Sequence, residues 1–225
     1  MATTADVFTG EHLVRTFGPT TAVRDVTCVV PAAARIAITG VSGSGKSTLL
    51  HLVAGIDEPT SGTARWPTIG ERLRPGRIGI VLQRPALIPT LDVGENVALP
   101  LLLANRPADA ARHAAAEALR RLGLAELTTR LPHELSGGQA QRVAVARAVA
   151  PGPDLIVADE PTAALDSSGA AHLVDVLLAT AERIDAALVL ATHDPAVADR
   201  FATRWQMVDG TVRAQPDATG PEPAC

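Results

Sequence analysis

Three stretches of the chain are apolar at almost every position: Ile36-Ala37-Ile38, Leu155-Ile156-Val157-Ala158 and Leu188-Val189-Leu190-Ala191. A strand with one wet face alternates apolar and polar residues, so runs apolar throughout predict strands of a parallel sheet covered by helices on both faces. Longer segments of helical period separate them, which makes the core α/β. Near the N-terminus Val26, Cys28 and Val30 alternate with polar neighbours and predict half-exposed antiparallel strand. Residues 205–208 and 211–213 flank Asp209-Gly210, a dipeptide that supplies the positive φ of a tight turn, so a closing hairpin is predicted there. The middle differs in kind: Pro107 opens a helix, Ala111, Ala115, Leu119 and Leu122 share one face, and Gly123 ends it. No strand is evident over about 86–150, which predicts a helical subdomain inserted into the sheet-based core.

Each buried run ends in polar residues with chemical potential. After the first comes Gly40-Val41-Ser42-Gly43-Ser44-Gly45-Lys46-Ser47-Thr48, followed by Leu49, Leu50, Leu52 and Val53, with Gly55 as a helix stop. Strand, glycine-rich loop and helix are the context that GxxxxGK[ST] requires. The glycines let backbone N–H groups curl around an anion at a helix N-terminus, where Lys46 would reach the β- and γ-phosphates and the Ser47 hydroxyl would ligate Mg2+. The second run ends in Asp159-Glu160, where ligands bind in open α/β sheets. Asp159 is a candidate Mg2+ ligand, and Glu160 a candidate base for the attacking water. The third ends in Thr192-His193-Asp194-Pro195, with Asp194 as N-cap and Pro195 at the first helical position. His193 therefore joins the other two strand ends.

The 225 residues are 47% apolar and 20% charged, which excludes disorder as the main state. A net charge of −4 offers no broad basic field, so direct nucleic-acid binding is not expected. Cys28 and Cys225 match no metal or redox spacing and are read as inert thiols. Residues 1–10 carry no secretory pattern, and the apolar stretch over 97–104 is broken by Pro100 and too short to span a bilayer. Work at a membrane would need a partner to hold the chain there. Of the 20 Lys and Arg residues, Lys46 alone is lysine. An amine reagent is therefore expected to label Lys46 and the N-terminus, with MgATP protecting the former.

Leu135-Ser136-Gly137-Gly138-Gln139, followed by Gln141-Arg142, resembles the pentapeptide that marks the ATPase subunits of ABC transporters. With the phosphate loop, acid pair and histidine in the same order, the resemblance covers about 7–213. It implies a P-loop ABC-ATPase fold: a RecA-like parallel core, an antiparallel β subdomain and an inserted helical subdomain. The implied domain spans 6–213, with a loose tail over 214–225. Ser136 can cap a helix that Pro151 stops, with glycines leaving N–H groups open. In the family this loop closes over the γ-phosphate bound by another subunit, so that two ATP molecules are sandwiched in a head-to-tail dimer. Ser136, Gly137, Gly138 and Gln139 would then be contacts in trans, and Asp166 resembles the loop crossing the same interface.

The resemblance also implies that Gln83 senses Mg2+ and water while linking to the membrane partner, and that His193 holds the γ-phosphate. Phe17 occupies the place of the aromatic that stacks on adenine. The partner is a transmembrane permease, which places the chain peripherally at the cytoplasmic face of the membrane. Residues 57–62 and 87–97 resemble the branch serving lipoprotein release and macrolide export. The stretch over 62–83 is shorter than that branch usually carries, and Ala163 replaces the small polar residue or glycine often found before the crossing loop. Two alternatives stand beside a transport motor: an envelope-remodelling complex that transports nothing, and a soluble ABC-type ATPase of DNA repair or translation.

Overall fold

The computed structural model describes residues 6–70 and 76–215. The chain opens with β1 (Asp6–Phe17), β2 (Thr20–Pro31), β3 (Arg35–Thr39), α1 (Lys46–Val53) and β4 (Ser61–Arg65). It continues with β5 (Ile78–Val81), then α2 (Val93–Leu103), α3 (Ala108–Arg121) and α4 (Gly137–Val149). β6 (Leu155–Asp159), α5 (Ser167–Arg183), β7 (Ala187–Thr192), α6 (Pro195–Ala198), β8 (Thr203–Val208) and β9 (Thr211–Gln215) complete it.

Strands β5, β6, β7, β3 and β8 pair in that order as a parallel sheet, and β9 joins β8 antiparallel at the edge. The pleat explains why the central runs read as unbroken apolar. Ala37, Ile156, Ala158, Leu188 and Leu190 face the core shared with α2, α3, α4 and α5. Their neighbours Ile36, Ile38, Leu155, Val157, Val189 and Ala191 face a second core with α1 and the inner faces of β1 and β2. Each fully buried Leu or Ile contributes about 1.5 to 3 kcal/mol, so neither face tolerates a polar residue cheaply.

A separate antiparallel sheet, β2-β1-β4, carries the predicted alternation, with Val23, Val26, Cys28 and Val30 buried. The short stretch after β4 is pinned by Trp66, whose indole N–H donates to Val53 O at 2.8 Å and whose ring tilts against Phe8. Arg77 then pairs with Asp154 and reaches Thr68 O. Residues 71–75 lie outside the described residues. β9 runs to Gln215, beyond the predicted end at Arg213, because Ala214 and Gln215 pair with Trp205 and Arg204. The rest of the expected tail, 216–225 with Cys225, lies outside the described residues, as do residues 1–5.

From Val93 to Val149 there is no strand. In α3 the predicted face is buried at Ala111, Ala115 and Leu119, Pro107 is the N-cap, Leu122 is the C-cap, and Gly123 takes φ +66°. Helix α4 crosses close over β5: a Cβ on Gly79 would lie 2.5 Å from Ala148 O. Gly79→Val is therefore expected to lower the thermal midpoint by about 2 to 10 °C, from an overpacking cost of about 1 to 3 kcal/mol. Calorimetry checks this, and an unchanged midpoint would show that helix and strand separate freely. Burial pushes the Cys28 thiol up to about 12, which agrees with an inert thiol. Cys28 is expected to resist iodoacetamide at pH 8 in the native protein and to react once denatured, as read by peptide mass.

Candidate active site

Register assembles the site. Thr39 pairs with Thr192, and Asp159 with Ala191, so β3, β6 and β7 end at one edge of the sheet. Gln83, two residues beyond β5, comes to the same edge. Here the chain leaves β3 into the glycine-rich loop. Gly40, Gly43 and Gly45 take φ of +146°, +78° and +104°. A Cβ on Gly45 would sit 2.2 Å from Ala22 O, and one on Gly40 would sit 2.5 Å from Met207 O. Glycine is required at both positions by space as well as by φ. Gly45 caps α1 with no side-chain bond, which leaves the first-turn N–H groups of the helix open toward the cleft.

Lys46 is 6% exposed, and its ammonium donates to Gly40 O at 2.9 Å and Val41 O at 3.1 Å. Glu160 Oε1 lies 3.7 Å away. The lone lysine is enclosed by its own loop, so labelling of Lys46 is expected to be slow even before any ligand binds. The Ser47 hydroxyl donates to Asp159 Oδ1 at 2.9 Å, and His51 Nε2 stands 3.9 Å from the other oxygen. Among the described residues no group of three or more His, Cys, Asp or Glu could hold a metal ion. Ser47, Asp159 and Gln83 supply oxygens only, which fits Mg2+, a cation that completes its octahedron with water and substrate phosphates.

Glu160 takes φ +45°, an uncommon conformation for a residue with a side chain, and its N–H donates to Ala191 O at 2.9 Å. That turn aims the carboxylate at His193, whose Nδ1 lies 2.8 Å from Glu160 Oε2. The loop residues Gly40, Ser42, Gly43, Gly45, Lys46, Ser47 and Thr48 line a cleft of about 900 Å³ together with Gln83, Glu160 and His193. Ser44 does not line it; its hydroxyl is buried without a hydrogen-bond partner.

Other expected residues fall elsewhere. Ser136 caps α4 in a reciprocal box: its hydroxyl accepts from Gln139 N at 3.3 Å, and Gln139 Oε1 accepts from Ser136 N at 2.9 Å. Ser136, Gly138 and Gln139 line a cavity of about 190 Å³ with Arg142, Leu165 and His172, which shares no residue with the large cleft. Gly137 has open space where a side chain would stand. Asp166 caps α5, accepting from Gly169 N at 2.8 Å. Phe17 does not line the cleft; it is 48% exposed, with the Arg15 guanidinium 4.5 Å from its ring centre and bonded in turn to Asp57.

Sequence reasoning missed the C-terminal hairpin as a wall of the site. Gln206, Met207, Val208 and Asp209 line the cleft with Ala22. Gly210 N donates to Ser44 O at 3.1 Å, and Gly210 O accepts from Arg24 N at 2.8 Å. Asp209-Gly210 announced a turn, but nothing local told which loop it would brace.

A family model for the ABC transporter matches residues 23–163. The chain is 41% identical over 190 residues to the lipoprotein-releasing system ATP-binding protein LolD of Legionella pneumophila (strain Lens), covering 80% of this chain and 84% of that one. It is 39% identical over 215 residues to the macrolide export ATP-binding/permease protein MacB of Rhodopseudomonas palustris (strain HaA2), covering 90% of this chain and 32% of that longer protein. Among solved structures it matches dimeric MJ0796, a bacterial ABC transporter cassette, at TM-score 0.84 and 33% identity, over 95% of this chain and 99% of that one. The dimeric post-hydrolysis state of that cassette, bound to ADP and Pi, matches at TM-score 0.83, with the same identity and coverage. With the phosphate loop, the acid pair and the pentapeptide on this fold, the chain belongs to the ABC transporter family, as an ATP-binding and ATP-hydrolysing subunit of the lipoprotein-release and macrolide-export branch.

Proposed function

We propose that this ATPase is the motor of an export or envelope-type transporter, working as a head-to-tail pair at the cytoplasmic face of a membrane and driving a separate permease. The observation that carries the reading is the separation of two phosphate cradles on one chain. The cleft around Lys46 and the cavity at Ser136 share no residue, which supports a reading in which a nucleotide held by one cradle meets the other in a second copy or a related subunit. The dimeric cassette at TM-score 0.84 supports that arrangement. No helix among the described residues is long and apolar enough to cross a membrane. Leu82, Ile88, Leu102 and Leu103, exposed on the Gln83 loop and the end of α2, are offered as the permease contact. The working domain is assigned to 6–215, the end of β9, with its helical subdomain over about 86–150.

In this reading the open N–H groups of α1, Lys46 and Thr48 hold the phosphates of ATP, and Ser42, Gly43 and Ser44 shape the loop around them. Ser47, Asp159 and Gln83 would hold Mg2+, which would supply positive charge beside the phosphates when bound. Glu160 orients an in-line water and accepts its proton, while His193, bonded to that carboxylate, keeps it aimed and meets the γ-phosphate. Phe17 offers a ring face to adenine, with stacking that needs no hydroxyl. Ser136, Gly137, Gly138 and Gln139 close on the γ-phosphate in trans, beside Asp166 at the crossing. Charge-assisted hydrogen bonds of about 1.5 to 3 kcal/mol each tie the two subunits through one phosphate group. Cleavage severs that bridge, the pair opens, and the permease converts the cycle into movement.

Glu160→Gln is expected to bind ATP normally, to lower turnover by about a hundredfold or more, and to accumulate an ATP-loaded dimer on size exclusion. Normal turnover in that variant would remove Glu160 as the base. Ser136→Arg places a guanidinium in the smaller cavity and is expected to abolish hydrolysis while leaving ATP affinity of the isolated subunit within about twofold. Isothermal titration decides it: a large loss of affinity would put the pentapeptide in cis.

A further inference from the structure

The loop that leaves β5 and carries Gln83 is held by helices, not by the sheet. From α4, Gln141, 3% exposed, donates to Leu82 O at 2.9 Å. One further turn and a half along the same helix, Arg147 forks its guanidinium, Nη1 to Ala86 O at 2.7 Å and Nη2 to Pro85 O at 2.8 Å. From α2, the fully buried Asn96 accepts from Ile88 N at 2.7 Å and donates to the carbonyls of Ile88, Leu91 and Asp92. Both flanks of the loop are therefore gripped by side chains of the helical segment.

Arg147 is the unusual member of that set. It is half-buried, burial lowers its pKa from the ordinary guanidinium value, and no carboxylate among the described residues offsets that effect. A cation answered only by two carbonyls costs more than a neutral amide such as Asn96 would. What the guanidinium adds is a planar fork that fixes two successive carbonyls at once. One of them belongs to Ala86, at φ +47°, a left-handed conformation that an alanine adopts only when its surroundings impose it. The strained peptide and the forked cation together hold the loop in one shape, three residues from Gln83. Helix α4 starts at the Ser136 cap, about 16 Å from Arg147 at 1.5 Å per residue, a span short enough to move as a rod.

We propose that Arg147 is a positioning residue that locks the Gln83 loop to α4, so that engaging a phosphate at Ser136 and presenting Gln83 to the cleft occur as one rigid-body movement. This rests on the roles proposed above for Ser136 and Gln83. It assigns the communication between the two cradles to a pair of hydrogen bonds rather than to the polypeptide connection alone.

The test is a double-mutant cycle in the full chain, read as kcat and KM for MgATP with thermal midpoints alongside. Gln83→Ala and Arg147→Met are each expected to lower kcat about tenfold with KM within about twofold, and the double variant to fall no more than about twofold below Gln83→Ala. Arg147→Lys, a point charge without the fork, is expected to recover only part of the loss. If Arg147→Met does not fold, Arg147→Lys carries the same cycle. A double variant that loses the product of the two factors would overturn the inference, because Arg147 would then act independently of Gln83. Unchanged kcat in Arg147→Met beside a slow Gln83→Ala would overturn it alone. A Gln83→Ala enzyme of normal kcat would instead remove the role of Gln83 and the inference with it.

Discussion

Hydrogen bonding between parallel strands of β5, β6, β7 and β3 is the constraint on which the rest of this molecule depends. The strands run in register, so the residues that follow them, Gln83, Asp159-Glu160, His193 and the loop after Thr39, emerge at one edge. A parallel sheet requires crossovers on its faces, and the helices that supply them, with β1 and β2, bury both sides of every central strand. Slipping one strand by a residue would put its apolar set on the wrong core and carry its catalytic end out of reach. Packing and catalysis are thus held by the same backbone bonds.

Within that frame the site is built from backbone and a few compact side chains. The loop at Gly40 to Gly45 is closed in by Ala22 on one side and Met207 on the other, with Gly210 bonded to Ser44, so three distant segments shape one anion cradle. Lys46 sits inside it on carbonyl oxygens. A compact ammonium on a flexible stem suits that space, whereas the wide fork of arginine suits the surface pairs and the carbonyl grip of Arg147. The division between one lysine and many arginines follows the geometry of the groups they meet.

Helix α4 joins the two halves of the mechanism. Its N-terminus is the Ser136 cap, its body packs on β5 at Gly79, and Gln141 and Arg147 hold the loop that carries Gln83. In the proposed head-to-tail pair, some rigid part must report closure on the partner's nucleotide to the chain's own cleft. This helix is the element in contact with both.

Much of this was legible in the residues themselves. Unbroken apolar runs can only be covered strands, glycine spacing before Lys46 can only serve a tight backbone curl, and Ser136 with Gln139 three residues on is a local capping pattern. These are short-range facts, set by sterics and hydrogen bonding within a few residues. Other features depend on chains that meet only after folding. The hairpin at Asp209-Gly210 read as a turn but not as a brace for the phosphate loop, and the resemblance that matched Phe17 to an adenine-stacking aromatic did not tell that Arg15 would lie on its ring. Arg147 carries no local signal of its contacts, which arise only where the fold brings Pro85 and Ala86 within reach. Lys46 looked like an accessible amine until the loop closed over it. By itself the sequence determined which chemistry this protein carries, because motif spacing encodes local backbone geometry. Tertiary structure alone decided which groups brace one another and that the two cradles are lined by different residues, because those neighbours are set by long-range strand register and helix packing.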